Sequence, residues 1–309
     1  MLIESWRDCC TSLPFLPRNF FGCAILRTIH DKPTPLGANE MSCGLFRLRA
    51  SLLLTLAWLL NSGVALAAQE IKSIPTRPGI TVKILLNIPE APAKAVLLMF
   101  PGGNGANMFH EKGGQVHLGK NFLVRTSPQS VQQGMAVAIV DAPSDQPNGM
   151  SVGFRNSPEH VQDIRKVVDF LDAQGLKPIY LVGTSMGTLS VAYLGMELQD
   201  SRIKGLILTS TVTQYVNGLR LHQIAFPVLL VHHLDDGCKL CPFREAMALK
   251  TKLSGSPKVD FVEVQGGDPP QSGPCQALSQ HGFLGVEDQV VKVIVDWASG
   301  KSVPASVGH

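Results

Sequence analysis

The sequence predicts an α/β fold: a mostly parallel, doubly wound sheet with helices on both faces. Three observations carry that expectation. Short runs that are mostly apolar, the majority without alternation, recur along the chain, as strands buried on both faces require. Helix-like segments separate them. Residues able to do chemistry collect just after the runs, where open parallel sheets bind their ligands.

The runs fall at residues 80–88, 95–100, 136–140, 179–182, 206–208, 228–231 and 259–264. The first is β-branched and closed by Pro89; the second ends in Pro101-Gly102-Gly103, and the fourth in Gly183. Among the helices, Ser157-Pro158-Glu159 makes a start signal, with a capping hydroxyl, proline at the first helical position and an acid in the first turn. Val161, Ile164, Val168 and Leu171 then recur three or four apart until Gly175 closes the segment. Residues 186–198 and 242–253 read as further helices. Residues 286–297 form a last one, with Val290, Val293, Ile294 and Trp297 on one stripe.

The chain has 309 residues, 45% of them hydrophobic and 17% charged, which is enough apolar material for a large core. Its formal charge is only +3 and no basic block is present, so nucleic acid is not an expected partner. The N-terminus separates from the fold. After Met41 come Arg47 and Arg49, then an apolar stretch over residues 52–60, a break at Asn61-Ser62-Gly63, and Ala65-Leu66-Ala67. That is the three-part layout of a secretory signal peptide over residues 41–67. The apolar stretch is too short to span a bilayer, so no stable membrane anchor is expected after cleavage. Residues 1–40 show no periodicity and are expected to lie outside the native protein or be disordered. Residues 68–309 then form a single domain in which basic and acidic residues nearly balance. The expected location is periplasmic or secreted. Cys238, Cys241 and Cys275 remain in that domain, and an oxidising compartment favours a disulfide among them.

The most specific motif is Gly183-Thr184-Ser185-Met186-Gly187, set between a strand and a helix. Such a turn is tight enough to demand glycine at its flanks. It lifts the serine hydroxyl clear of the sheet beside a helix N-terminus, where negative charge is stabilised.

Four segments together resemble the α/β-hydrolase family: Pro101-Gly102-Gly103-Asn104-Gly105, the pentapeptide around Ser185, His232-His233-Leu234-Asp235-Asp236, and His281-Gly282-Phe283. The resemblance covers residues 95–297, nearly all of the expected mature chain. It implies Ser185 as nucleophile, His281 as base and an aspartate after the strand at 228–231 as acid, in the family's order. The family pattern hydrophobe-His-Gly-x-x-Asp puts the acid at Asp236, with Asp235 the alternative; His233 stands where the pattern has glycine. Oxyanion donors are expected at Met186 and Gly103, with Asn104 adjacent to the latter. Asn104 and Arg155 are candidate substrate-binding residues, although an exposed loop arginine is the commoner situation for a residue placed like Arg155.

If Asp236 and His281 meet, the loops bearing Cys238 and Cys275 converge, and a Cys238–Cys275 disulfide would clamp them; Cys241–Cys275 is the second choice. Neither a redox nor a structural zinc context accompanies Cys238-x-x-Cys241, so no metal or cofactor is expected. About fifteen residues separate Thr211 from Phe226, too few for a large cap domain. Longer loops at 105–127 and 142–156 are left to shape the pocket. The expectation is an exported serine hydrolase acting on a small-molecule acyl substrate. Thioesters and small peptides are alternative substrates, and a non-catalytic binding protein on the same fold is the alternative of another kind.

Overall fold

The computed structural model describes residues 68–308. The expectations for residues 1–67, including the signal peptide over residues 41–67, lie outside the described residues. The described residues form eleven strands: β1 (Ala68–Arg77), β2 (Ile80–Ile88), β3 (Val96–Phe100), β4 (Phe109–Lys112), β5 (Gln115–Leu118), β6 (Ala136–Val140), β7 (Ile179–Thr184), β8 (Ile203–Thr209), β9 (Val228–His233), β10 (Val259–Val264) and β11 (Ser306–Val307). Nine form one sheet in the order β1-β2-β6-β3-β7-β8-β9-β10-β11, and β4 and β5 form a separate hairpin. From β6 to β11 the neighbours run parallel; β1 and β2 add an antiparallel edge.

The unalternating apolar runs have the anticipated cause. Along β3, Val96, Leu98 and Phe100 face one core while Leu97 and Met99 face the other. The first core is covered by α4 (Pro158–Ala173), α5 (Met186–Glu197) and α7 (Phe243–Lys252). The second is covered by α1 (Phe122–Arg125), α2 (Ser127–Gln132) and α8 (Glu287–Ala298). Two further short helices, α3 (Val152–Arg155) and α6 (Thr213–Val216), lie in loops.

The sequence reading missed β1, which pairs with β2 in register from Ala68↔Ile88 onward. Its Lys72, Pro75 and Arg77 break any continuous apolar signal, because an edge strand buries only part of its surface. It also missed the β4–β5 hairpin inside the 105–127 loop, whose strands are mostly exposed. Between β8 and β9 only α6 and one 3₁₀ turn intervene, so no cap domain is inserted there.

Candidate active site

Ser185 sits at the β7–α5 junction with φ 51° and ψ −124°, a conformation that a non-glycine residue holds only under strain. The flanking glycines are steric necessities. A Cβ at Gly183 would lie 2.6 Å from the Gly187 carbonyl oxygen, and one at Gly187 would collide with the Phe100 carbonyl. The turn is pinned by the Ser185 N–H donating to Thr209 O at 3.0 Å and by Thr188 Oγ1 donating to Ser185 O at 2.6 Å. The Met186 amide belongs to the first turn of α5, where backbone N–H groups lack helical partners and are free to face a ligand.

His281 lies on a 3₁₀ turn, Gln280–Gly282, between β10 and α8. The turn is fixed from two sides: Ser210 Oγ donates to His281 O at 2.7 Å, and Arg125 Nη2 donates to Gly282 O at 2.7 Å while pairing with Glu287. A Cβ at Gly282 would strike the Ala277 carbonyl, and Phe283 packs edge-on against Phe122 with ring centroids 4.9 Å apart. Each residue of His-Gly-Phe thus has its own physical requirement.

Asp236 meets His281: His281 Nδ1 donates to Asp236 Oδ2 at 2.8 Å. The other carboxylate oxygen accepts from the Cys238 N–H at 2.9 Å. Asp235 is exposed, and its side chain is not part of this network. His233, in the place where the resembling pattern has glycine, is buried. Its Nδ1 accepts from the Asp235 N–H at 3.0 Å and its Nε2 donates to Gly266 O at 3.0 Å, so the imidazole stiffens the turn.

His232 lies beneath the acid. Its Nδ1 accepts from the Thr211 N–H, so Nε2 carries the proton and donates to Cys241 O at 2.9 Å, 3.5 Å from Asp236 Oδ2. Burial holds its pKa down to about 4, so it stays neutral beside the carboxylate. With Nδ1 held by Asp236, the lone pair of a neutral His281 is on Nε2, which is buried and has no hydrogen-bond partner among the described residues. Such an imidazole is equipped to take a proton from a nearby hydroxyl.

Ser185 and His281 line one cavity of about 420 Å³, with Gly102, Gly103, Asn121 and Phe122 among its other walls. Gly103, an expected oxyanion donor, is therefore at the cavity. The two candidate substrate-binding residues are not, and both expectations are corrected. Asn104 turns away: its Nδ2 donates to Asn148 O and its Oδ1 accepts from the Ala106 N–H, so its side chain builds the loop. Arg155 is fully buried, neither a pocket residue nor an exposed one. Its guanidinium donates to Ser190 Oγ at 2.9 Å and to Gly103 O at 3.1 Å, bracing the 101–105 loop from behind. Desolvation lowers its pKa to about 10, still charged at neutral pH. The 142–156 loop likewise supports that turn, with the Met150 N–H donating to Asn104 O, while Met108 and Gly119 at the base of the β4–β5 hairpin line the cavity.

Cys238 and Cys275 form a disulfide with Cα atoms 4.5 Å apart, joining the Asp236 and His281 loops. Closing a loop across a separation of 37 residues stabilises the fold by roughly 3–4 kcal/mol. Cys241 is free and buried. Its Sγ, Cys238 Sγ and a ring nitrogen of His281 all lie within 4.8 Å of one another. The disulfide occupies Cys238, which leaves two ligands, fewer than a zinc site requires. Burial and the nearby Asp236 push the Cys241 thiol's pKa well above its ordinary value, so it faces Ser185 as a neutral group.

The family described as serine aminopeptidase, S33, matches residues 128–250, a span that contains Ser185 and Asp236 and stops short of His281. The chain has the α/β-hydrolase fold and is a serine hydrolase. Its fold is similar to that of a cold-adapted esterase from an Arctic intertidal metagenomic library, with 20% identity over 75% of this chain and 93% of that one, and a TM-score of 0.51. It is similar to an alpha-beta serine hydrolase homologue from Coxiella burnetii, with 17% identity over 73% and 95% of the two chains, and a TM-score of 0.52. The acylaminoacyl peptidase of Pyrococcus horikoshii shares the fold at 11% identity, over 77% of this chain but 42% of that one, with a TM-score of 0.51. No curated protein matches the chain.

Sequence reasoning about this hydrolase gave His232 a place in a motif but no role, entered Cys241 only as an alternative disulfide partner, and left Asn121 unnoticed. Asn121 precedes Phe-Leu-Val-Arg, and an asparagine before an apolar helical turn is a cap signal that would have drawn attention to it.

Proposed function

We propose that this hydrolase cleaves esters or related acyl compounds outside the cytoplasm, by nucleophilic catalysis at Ser185. The observation that carries the reading is the His281–Asp236 hydrogen bond, which leaves an unpartnered Nε2 at the cavity that Ser185 also lines. In the proposed reaction the Ser185 hydroxyl attacks the acyl carbon as His281 Nε2 takes its proton. Asp236 holds the imidazole in the right tautomer and stabilises its cation. The Met186 and Gly103 amides hold the oxyanion. His281 then returns the proton to the leaving group, and water attacks the acyl-enzyme by the same path in reverse.

The absence of an inserted cap between β8 and β9 favours compact substrates that reach Ser185 directly. The disulfide supports an oxidising location, in keeping with the signal-like residues 41–67. The serine aminopeptidase match favours a second reading, in which the scissile bond is a peptide at a chain terminus. Turnover of short-chain esters, thioesters and aminoacyl amides by residues 68–309 separates the two. Ester cleavage that disappears in Ser185→Ala is expected. Peptide cleavage without ester cleavage would favour the second reading, and turnover surviving in Ser185→Ala would overturn both.

A further inference from the structure

Asn121 has a carboxamide divided between two tasks. Its Oδ1 accepts from the Leu123 N–H at 3.1 Å, capping α1. That bond fixes which end of the amide is oxygen, and so where the NH₂ group points. Nδ2 makes no hydrogen bond among the described residues, and Asn121 lines the cavity with Ser185, Gly102 and Gly103. Gly102 locates Nδ2 closely. A Cβ there would stand 2.9 Å from Ser185 Cβ and 3.4 Å from Asn121 Nδ2, so the amide and the serine flank the same point from two sides. Only glycine at 102 keeps that space open.

The chemistry of the space is one-sided. No Asp or Glu lines the cavity, and its charged members are Lys120 and, when protonated, His281. The amide is also held in register with the base. Arg125, at the far end of the same short helix, donates to the carbonyl of Gly282, next to His281, and Phe122 packs on Phe283. An unpaired donor on a braced element, aimed beside a nucleophile, is suited to meet an oxygen on which negative charge develops.

We infer that Asn121 is a further catalytic residue, donating through Nδ2 to the acyl oxygen of the substrate alongside the Met186 and Gly103 amides. The inference rests on the reading of Ser185 as nucleophile. Asn121→Ser and Asn121→Asp test it, because both keep a side-chain oxygen to cap α1 while removing the amide donor. Asn121→Ser is expected to lower kcat about a hundredfold with KM nearly unchanged. Asn121→Asp falls further, since it faces the oxyanion with a carboxylate. The affinity of a trifluoromethyl ketone, which forms a charged tetrahedral adduct, drops with kcat. Unfolding temperatures close to wild type in both variants separate this role from capping. A kcat for Asn121→Ser within twofold of wild type, or a loss carried by KM alone, would overturn the assignment while leaving Ser185 in place. Wild-type turnover that persists in Ser185→Ala would remove the nucleophile and the Asn121 role with it.

Discussion

The two sides of the site are held by opposite means. On the acid side, Asp236 receives bonds on both oxygens, His232 lies beneath it with both ring nitrogens engaged, and a disulfide ties its loop to that of His281. On the oxyanion side, the 101–105 turn rests on Arg155, a buried cation whose partners among the described residues are a hydroxyl and a carbonyl rather than a carboxylate. His160, also buried beneath that side and edge-on to Phe100, has an Nε2 without a hydrogen-bond partner among the described residues. The proton relay is thus built for fixed distance, whereas the oxyanion turn is built for a positive field. A buried cation near Gly103 raises the potential where an anion is proposed to form, and a carboxylate partner would cancel it.

The largest expected effect breaks the acid side. Asp236→Asn keeps the shape but offers His281 an amide in place of a carboxylate, so kcat is expected to fall about 10⁴-fold with little change in unfolding temperature. A loss below tenfold in steady-state assays would show that another group orients His281. Next comes the clamp. The double variant Cys238→Ala/Cys275→Ala is expected to lose roughly 3–4 kcal/mol of stability, measured by denaturant titration under non-reducing conditions. Unchanged stability would mean that the acid side does not depend on the covalent link.

Arg155→Met tests the opposite side. It removes a desolvated charge, which favours folding, but leaves Gly103 O and Ser190 Oγ unmet, at about 1–3 kcal/mol each. These terms nearly cancel, so stability is expected to move little while kcat falls about tenfold with KM constant. An unchanged kcat would remove the field argument.

The last contrast is in pH. Burial holds His232 to about 4 and His160 to about 3, both below the ordinary value of 6.5. The unfolded chain therefore binds more protons than the native one across that interval. Stability contributed by the neutral histidines is full above pH 6.5 and is lost as pH falls towards 4 and then 3. Unfolding temperatures measured from pH 7 to pH 4 should decline, and His160→Phe should decline less steeply than wild type. Parallel curves for the two proteins would contradict this.

Much of the site was legible in the sequence because backbone geometry imposes it. The strained turn at Ser185 admits only glycine at 183 and 187, and strands buried on both faces leave uninterrupted apolar runs such as that of β3. The family resemblance pointed to Asp236 with Asp235 left open, and the expected meeting of Asp236 with His281 pointed to Cys275 as the partner of Cys238. What was not legible depends on contacts between distant segments. Arg155 reads as a loop arginine until the 101–105 turn is seen folded over it. Asn121 reads as part of a long loop until its amide is found beside Ser185. The edge strand β1 is hidden because pairing along one side does not require a wholly apolar sequence.

The relay itself is tested most directly by treating the folded protein with a fluorophosphonate and mapping the adduct by peptide mass spectrometry, in wild type and in His281→Ala. One adduct is expected, on Ser185, formed rapidly in wild type and several orders of magnitude more slowly without the imidazole. An unmodified Ser185 in native protein, or equal labelling rates in the two proteins, would contradict it.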